Sequence, residues 1–155
     1  MAKEIERKYL LKNDNWRKEA QPVYYKQGYL SYGQGNTVRI RIAGNEAWVT
    51  IKSATVGISR SEFEYLIPIA DANSILDDIC FKPLIEKYRS KIKYKGMIWE
   101  VDEFLGENKG LIIAEVELEN ENQQVEIPEW IGEEVSSDKR YYNSYLVKNP
   151  YKNWR

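Results

Sequence analysis

The sequence predicts an α+β, mainly antiparallel β fold: an eight-stranded closed barrel with a polar, charged lumen and a few flanking helices. Three observations carry that expectation. Short strand-like segments follow one another at hairpin spacing. Most of them place charges at alternate positions with apolar residues between. Each charged segment is dominated by one sign. Hairpin spacing alone fits a barrel or a sandwich; the charge pattern selects the barrel.

The elements read in order as follows. Glu4–Leu11 is a strand, and Asn13-Asp14-Asn15 caps a short helix over Trp16–Glu19. Tyr24–Tyr32 is a strand and Gly33–Asn36 a turn. Thr37–Ile42 and Ala47–Ser53 flank the hairpin signature Ala43-Gly44-Asn45-Glu46. Ser59–Ile69 is a strand. Asp71–Cys80 is a helix, capped by Asp71, with Ala72, Ile75, Leu76 and Ile79 on one face and Pro83 as its stop. Leu84–Tyr94 and Met97–Phe104 flank the turn Lys95-Gly96, and Leu111–Glu119 is a strand. Pro128–Gly132 reads as a helical turn and Arg140–Lys148 as a terminal helix.

Composition narrows the chemistry. A chain of 155 residues suits one domain, taken as 1–155. Lys+Arg of 23 against Asp+Glu of 24 leaves a net charge of −1, so neither nucleic acid nor a membrane surface is an expected partner. Neither a signal sequence nor an apolar span stands out, and the single cysteine, Cys80, suits a reducing compartment; the cytoplasm is the expected location. Histidine is absent. That excludes imidazole bases, Ser-His-Asp chemistry and His-bound zinc. Any metal would be held by carboxylates and water, which favours Mg2+ or Mn2+.

Side chains alternate faces along a strand. Glu4, Glu6 and Lys8 therefore share a face, as do Arg39 with Arg41, and Lys52 with Thr50 and Trp48. The same holds for Glu62 with Glu64, for Lys87 with Arg89, for Glu100 with Asp102, and for Glu115 with Glu117. A single such strand is ordinary in a half-solvated sheet. The whole set fits a barrel with its charges turned inward, whose interior can take one small ligand. So many buried charges need counter-charge. A polyanion gripped by the basic strands, with a divalent metal on the acidic ones, supplies it.

The segments Glu4-x-Glu6-x-Lys8, Gln27-Gly28-Tyr29-Leu30, Val38-Arg39-Ile40-Arg41 and Thr50-Ile51-Lys52 resemble the CYTH superfamily of triphosphate tunnel metalloenzymes. The resemblance continues through Arg60-x-Glu62-Phe63-Glu64-Tyr65, Glu86-Lys87-x-Arg89 and Trp99-Glu100-Val101-Asp102-x-Phe104. It ends in Ala114-Glu115-Val116-Glu117-Leu118 and Asp138-Lys139-Arg140-Tyr141-Tyr142-Asn143. The order spans residues 4–143 and is most similar to the short, single-domain bacterial branch.

The resemblance implies an eight-stranded tunnel and metal-dependent hydrolysis of a triphosphate. Lys8, Arg39, Arg41, Lys52, Lys87, Arg89 and Lys139 match its phosphate-binding cations. Glu4, Glu6, Glu62, Asp102, Glu115 and Glu117 are the expected metal ligands, with Glu4, Glu115 and Glu117 foremost. A Lys–Tyr pair implicated in catalysis matches Lys52 and Tyr29; Glu6 and Glu64 complete the expected catalytic set. Lys52 has two readings: a phosphate-binding ammonium, which is the simpler, or a base with a lowered pKa. Tyr29 also reads as one of twelve tyrosines that pack in the apolar shell.

The expected reaction is inorganic tripolyphosphate to diphosphate and phosphate. The alternatives are hydrolysis of thiamine triphosphate or a nucleotide, a class IV-type adenylyl cyclase, or a non-catalytic polyphosphate- or nucleotide-binding module. The expected partner is a small-molecule triphosphate, and a homodimer is left open. Trp16, Trp130, Trp154 and Cys80 read as packing residues, and the glutamates beyond Leu118 as solvated.

Overall fold

The computed structural model describes residues 3–32 and 35–154, so the expected turn at Gly33–Asn36 lies partly outside the described residues. Among the described residues nine strands form: β1 (Lys3–Leu11), β2 (Val23–Ser31), β3 (Thr37–Ala43), β4 (Glu46–Lys52), β5 (Ser59–Ile67), β6 (Ile85–Tyr94), β7 (Met97–Phe104), β8 (Ile112–Glu117) and β9 (Ile131–Glu134). Helix α1 (Ile69–Asp78) follows β5, and α2 (Asn143–Lys148) lies near the C-terminus.

The spatial order is β5-β4-β3-β2-β6-β7-β8-β1, and β1 returns to β5 to close the barrel. All pairings are antiparallel. The seam is short: Lys3, Glu4 and Ile5 face Ser61, Arg60 and Ser59. Further along β1, Tyr9 and Leu11 pair with Glu134 and Ile131 of β9, the strand outside the closed eight, with a register shift between the two pairs.

Local chemistry explains the turns. Lys95 and Gly96 have φ of 46° and 81°, the left-handed pair of a two-residue hairpin. At Gly28 the reason is space. A Cβ there would lie 2.8 Å from Leu84 Cδ2 and 2.9 Å from Cys80 Cβ, so the bare backbone admits the segment after α1 against the outside of the barrel.

Three apolar clusters hold the fold. Outside, α1 lays Ala72 and Leu76 over Ile40 and Ala47. A second exterior cluster joins Tyr9, Ile92, Trp99, Val101 and Val116 to Trp16 and Trp130. The third lies at one end of the bore. There the inward-facing positions become apolar: Tyr29, Ile85, Phe104 and Ile113 pack with Leu146 and Val147 of α2. The lumen is therefore charged in its middle and stoppered at one end.

Some expected elements differ. The expected cap of α1, Asp71, sits inside its first turn, because Pro68 is already the boundary residue. Asp14 makes no cap bond; the Asn13 side chain instead accepts from the Asn15 N–H at 2.9 Å. Pro128–Trp130 is a turn that leads into β9, not a helix. The terminal helix is two pieces, a 3-10 turn over Lys139–Tyr141 and then α2, separated by Tyr142 in extended conformation.

Candidate functional site: a bipolar charged lumen

The bore contains a cavity of about 290 Å³. In chain order the signs of its strands alternate irregularly. In barrel order they sort into two arcs. Arg39 and Arg41 on β3, Lys52 on β4, and Lys87, Arg89 and Lys91 on β6 form a basic arc, with the neutral inward-facing residues of β2 in its centre. Glu100 on β7, Glu115 and Glu117 on β8, Glu4 and Glu6 on β1, and Glu62 and Glu64 on β5 form an acidic arc. Two cations, Lys8 and Arg60, stand within the acidic arc.

Ion pairs join the arcs. Asp102, 1% exposed, takes Arg89 Nε on Oδ1 at 2.7 Å and Lys87 Nζ on Oδ2 at 2.8 Å. Both of its oxygens are engaged, and it lies behind the cavity wall rather than on it. Glu115 accepts from Lys8 at 2.5 Å and from Arg89 at 3.3 Å. Lys52 donates to both oxygens of Glu4 at 3.1 Å and lies 3.3 Å from Glu62. Arg60, absent from the expected site, donates to Glu4 at 3.1 Å. Its place in the period-two run Arg60, Glu62, Glu64 was the signal for it.

Titration tendencies follow this geometry. Burial would raise the Glu4 carboxyl, but Lys52, Arg60 and Lys8 outweigh it and bring its pKa to about 2. Glu6 moves up, through burial and the nearby Glu115 carboxylate. Glu117 is also raised, by burial and by Glu4, Glu62 and Glu100. Lys87 is wholly enclosed, and burial brings it down to about 7 against the pull of Asp102. Lys52 is lowered too, by burial and then by Arg39.

Neutral residues missed in the sequence complete the wall. The Tyr25 ring lies 4.9 Å from the Arg41 guanidinium and 5.2 Å from that of Arg89, a cation–π bracket for both. Thr50 donates to Glu64 at 2.8 Å. Gln27, Tyr142 and Asn143 also face inward. Tyr29 lines the cavity opposite Arg39 while packing into the apolar stopper, so both of its readings hold.

Of the expected phosphate cations, Lys8, Arg39, Arg41, Lys52, Lys87 and Arg89 line the bore. Lys139 does not. It is exposed and borders a second cavity of about 880 Å³, which shares Thr37, Arg60, Tyr142 and Ser144 with the first. The reason is its position in the 3-10 turn after β9, beyond the strand alternation.

Among the described residues no three carboxylates converge as a ready-made metal cage; Lys8 lies between Glu6 and Glu115, and Lys52 between Glu4 and Glu62. The donor chemistry nevertheless fits a hard divalent ion, since every acidic donor is a carboxylate oxygen. The upward shifts of Glu6 and Glu117, each driven in part by neighbouring carboxylates, mark where positive charge is short.

Such a barrel defines a polyanion-binding tunnel protein. The CYTH domain matches residues 2–144, and the chain belongs to that family. It is 50% identical to a protein of Acetivibrio thermocellus named inorganic triphosphatase, over 100% of this chain and 99% of that one. It is 35% identical to a Nitrosomonas europaea protein of the same name, over 93% and 96% of the two chains. A crystal structure of an inorganic triphosphatase superposes with a TM-score of 0.66 at 33% identity, covering 95% of each chain. No helix among the described residues is long and apolar enough to cross a membrane.

Proposed function

We propose that the chain hydrolyses inorganic tripolyphosphate to diphosphate and phosphate with Mg2+ or Mn2+. One observation carries this reading: the basic arc holds a buried donor with nothing to bind. Among the described residues Arg39 Nε is buried and finds no hydrogen-bond partner, while the Arg39 side chain lines the cavity. An orphaned buried donor costs about 1–3 kcal/mol, and a phosphate oxygen would satisfy it. The names of the two relatives supply the substrate.

In this reading Arg39 and Arg41 fix phosphate oxygens by forked contacts, Arg89 offers Nη1 because its Nε and Nη2 are held by Asp102 and Glu115, and Lys8, Lys52 and Lys87 act as point charges. Tyr29 contributes a hydroxyl. Glu4, Glu6, Glu62, Glu115 and Glu117 would hold the divalent ion, which supplies charge that neutralises phosphates and carboxylates together. Asp102 braces Lys87 and Arg89 instead.

The oxygen of water bonds to the terminal phosphorus as the bridging P–O bond breaks. Diphosphate leaves with the electron pair. Glu6 is the proton acceptor in this reading: its raised pKa makes it a stronger base than Glu4 or Glu115. Glu64 holds Thr50 and Arg39 at the border of the arcs and helps orient the water.

The test is phosphate release from tripolyphosphate, ATP and thiamine triphosphate, each with Mg2+, Mn2+ or EDTA. Metal-dependent turnover of tripolyphosphate is expected, as is its loss in a folded Glu115→Gln or Glu117→Gln protein. Binding of every substrate without turnover would replace hydrolase by binding module; cyclic AMP from ATP would make the chain a cyclase.

A further inference from the structure

Arg41 has an unusual setting. Among the described residues no carboxylate lies within ion-pairing distance of it, unlike Lys8, Arg39, Lys52, Lys87 and Arg89. Burial and the neighbouring Arg39 and Arg89 all work against its charge. Its acceptor is a neutral residue: Arg41 Nε donates to Gln27 Oε1 at 2.8 Å. Gln27 stands on β2, whose inward-facing Tyr25, Gln27 and Tyr29 are uncharged, at the centre of the basic arc, and is 0% exposed.

The bond does not end there. Gln27 Nε2 donates to Asn143 Oδ1 at 3.1 Å, and Lys87 Nζ donates to the same oxygen at 2.8 Å. The polarity of this chain is forced. Guanidinium and ammonium groups only donate. Arg41 therefore fixes the oxygen of Gln27 toward itself and turns the amide NH2 toward Asn143. Lys87 likewise requires the oxygen of Asn143, whose two lone pairs are then both used. No other orientation of either carboxamide satisfies both ends.

Asn143 is the first residue of α2, and α2 is seated in the stopper by Leu146 and Val147 against Ile85 and Phe104. The relay thus runs from a rigid apolar plug to two cations on different strands. We infer that Gln27 and Asn143 are positioning residues for the triphosphate: they tie Arg41 and Lys87 to the seated C-terminal helix and so fix the spacing of two phosphate-facing cations. Neither carries charge, so neither adds net attraction for a polyanion. Their contribution is orientation of groups that do.

This rests on the proposed phosphate-binding role of the basic arc, and the experiment separates the two. Tripolyphosphate hydrolysis with Mg2+ is measured for the full chain, for Asn143→Ala, for Gln27→Met (which keeps the volume and removes the acceptor), and for the double variant. Each single change is expected to raise KM roughly ten-fold or more, the scale of a lost charge-assisted hydrogen bond. A kcat within about three-fold of wild type is expected, since the cations grip ground and transition states alike. Because both residues belong to one relay, the double variant should be no more than about two-fold worse than the poorer single.

A wild-type KM with only a lowered melting temperature would make the pair merely structural and overturn the inference. So would single effects that multiply in the double variant. Should Asn143→Ala fail to fold, Gln27→Met opens the relay from its other end and decides alone. If the wild-type chain binds tripolyphosphate without turning it over, the hydrolase reading falls. The same comparison, run as Kd by calorimetry, then decides the relay.

Discussion

Glu4 and Glu6 sit two residues apart on one face of β1, yet titrate in opposite directions. Glu4 has two cations in contact, Lys52 and Arg60, which bring it to about 2 despite burial. Glu6 has one, Lys8, which it shares with Glu115, and burial with that second carboxylate prevails. The consequences for stability have opposite signs. A depressed carboxyl stabilises the fold fully above its unfolded value of 4.5, and that contribution is lost as pH falls toward about 2. A raised carboxyl costs stability while ionised and ceases to as it protonates. Melting temperatures of the metal-free protein between pH 6 and pH 2 check this. Glu4→Gln should start lower at pH 6 and fall less steeply than wild type in acid. Glu6→Gln should start higher. Parallel curves for all three proteins would contradict the pairing described.

At the scale of elements, β2 is the strand on which inside and outside meet. Gln27 and Tyr29 face the bore, while Gly28 between them opens the outer surface to Cys80 and Leu84. Gly28→Ala would push a methyl to within 3 Å of both, and overpacking of this kind costs about 1–3 kcal/mol. Thermal or urea unfolding should show that loss, with tripolyphosphate KM changed less than stability because the insult is external. An unaltered melting temperature would mean the segment after α1 moves away freely. How far such elements can be read from sequence depends on how local their cause is. Alternation is local, so the faces of Arg39, Glu62 and Glu115 are legible in the residue order alone. Strand β9 is not: four residues behind Pro128-Glu129-Trp130 give no period, and β9 exists because β1 offers it an edge beyond the seam. Tyr25, Gln27 and Asn143 are equally hidden as site residues, since neutral side chains leave no charge pattern to follow.

For the whole molecule, the decisive property is the sorting of charge into two arcs, and this is illegible in the sequence for a topological reason. In the chain, acidic β1 is followed by basic β3 and β4, acidic β5, basic β6 and acidic β7 and β8. Only the order β5-β4-β3-β2-β6-β7-β8-β1 brings like beside like. The walls of such a lumen compensate each other: the cations of one arc reach across to the carboxylates of the other, as Lys52 does to Glu4 and Arg89 to Glu115. In the proposed reading, a triphosphate entering alone would capture the basic arc and leave the acidic arc uncompensated. A divalent ion entering alone would do the reverse and face Lys8 and Lys52, already in place. Together they would neutralise each other and both walls. Binding of each should therefore favour the other, and a ligand that binds only the native state raises its melting temperature. In thermal-shift measurements on the Glu115→Gln protein, whose turnover is expected to be lost, tripolyphosphate with Mg2+ should raise Tm by more than the sum of the two added separately. Wild-type protein with Mg2+ and a non-hydrolysable triphosphate should give the larger synergy, because Glu115 is intact. Strictly additive shifts in both proteins would mean that metal and phosphate do not share this lumen.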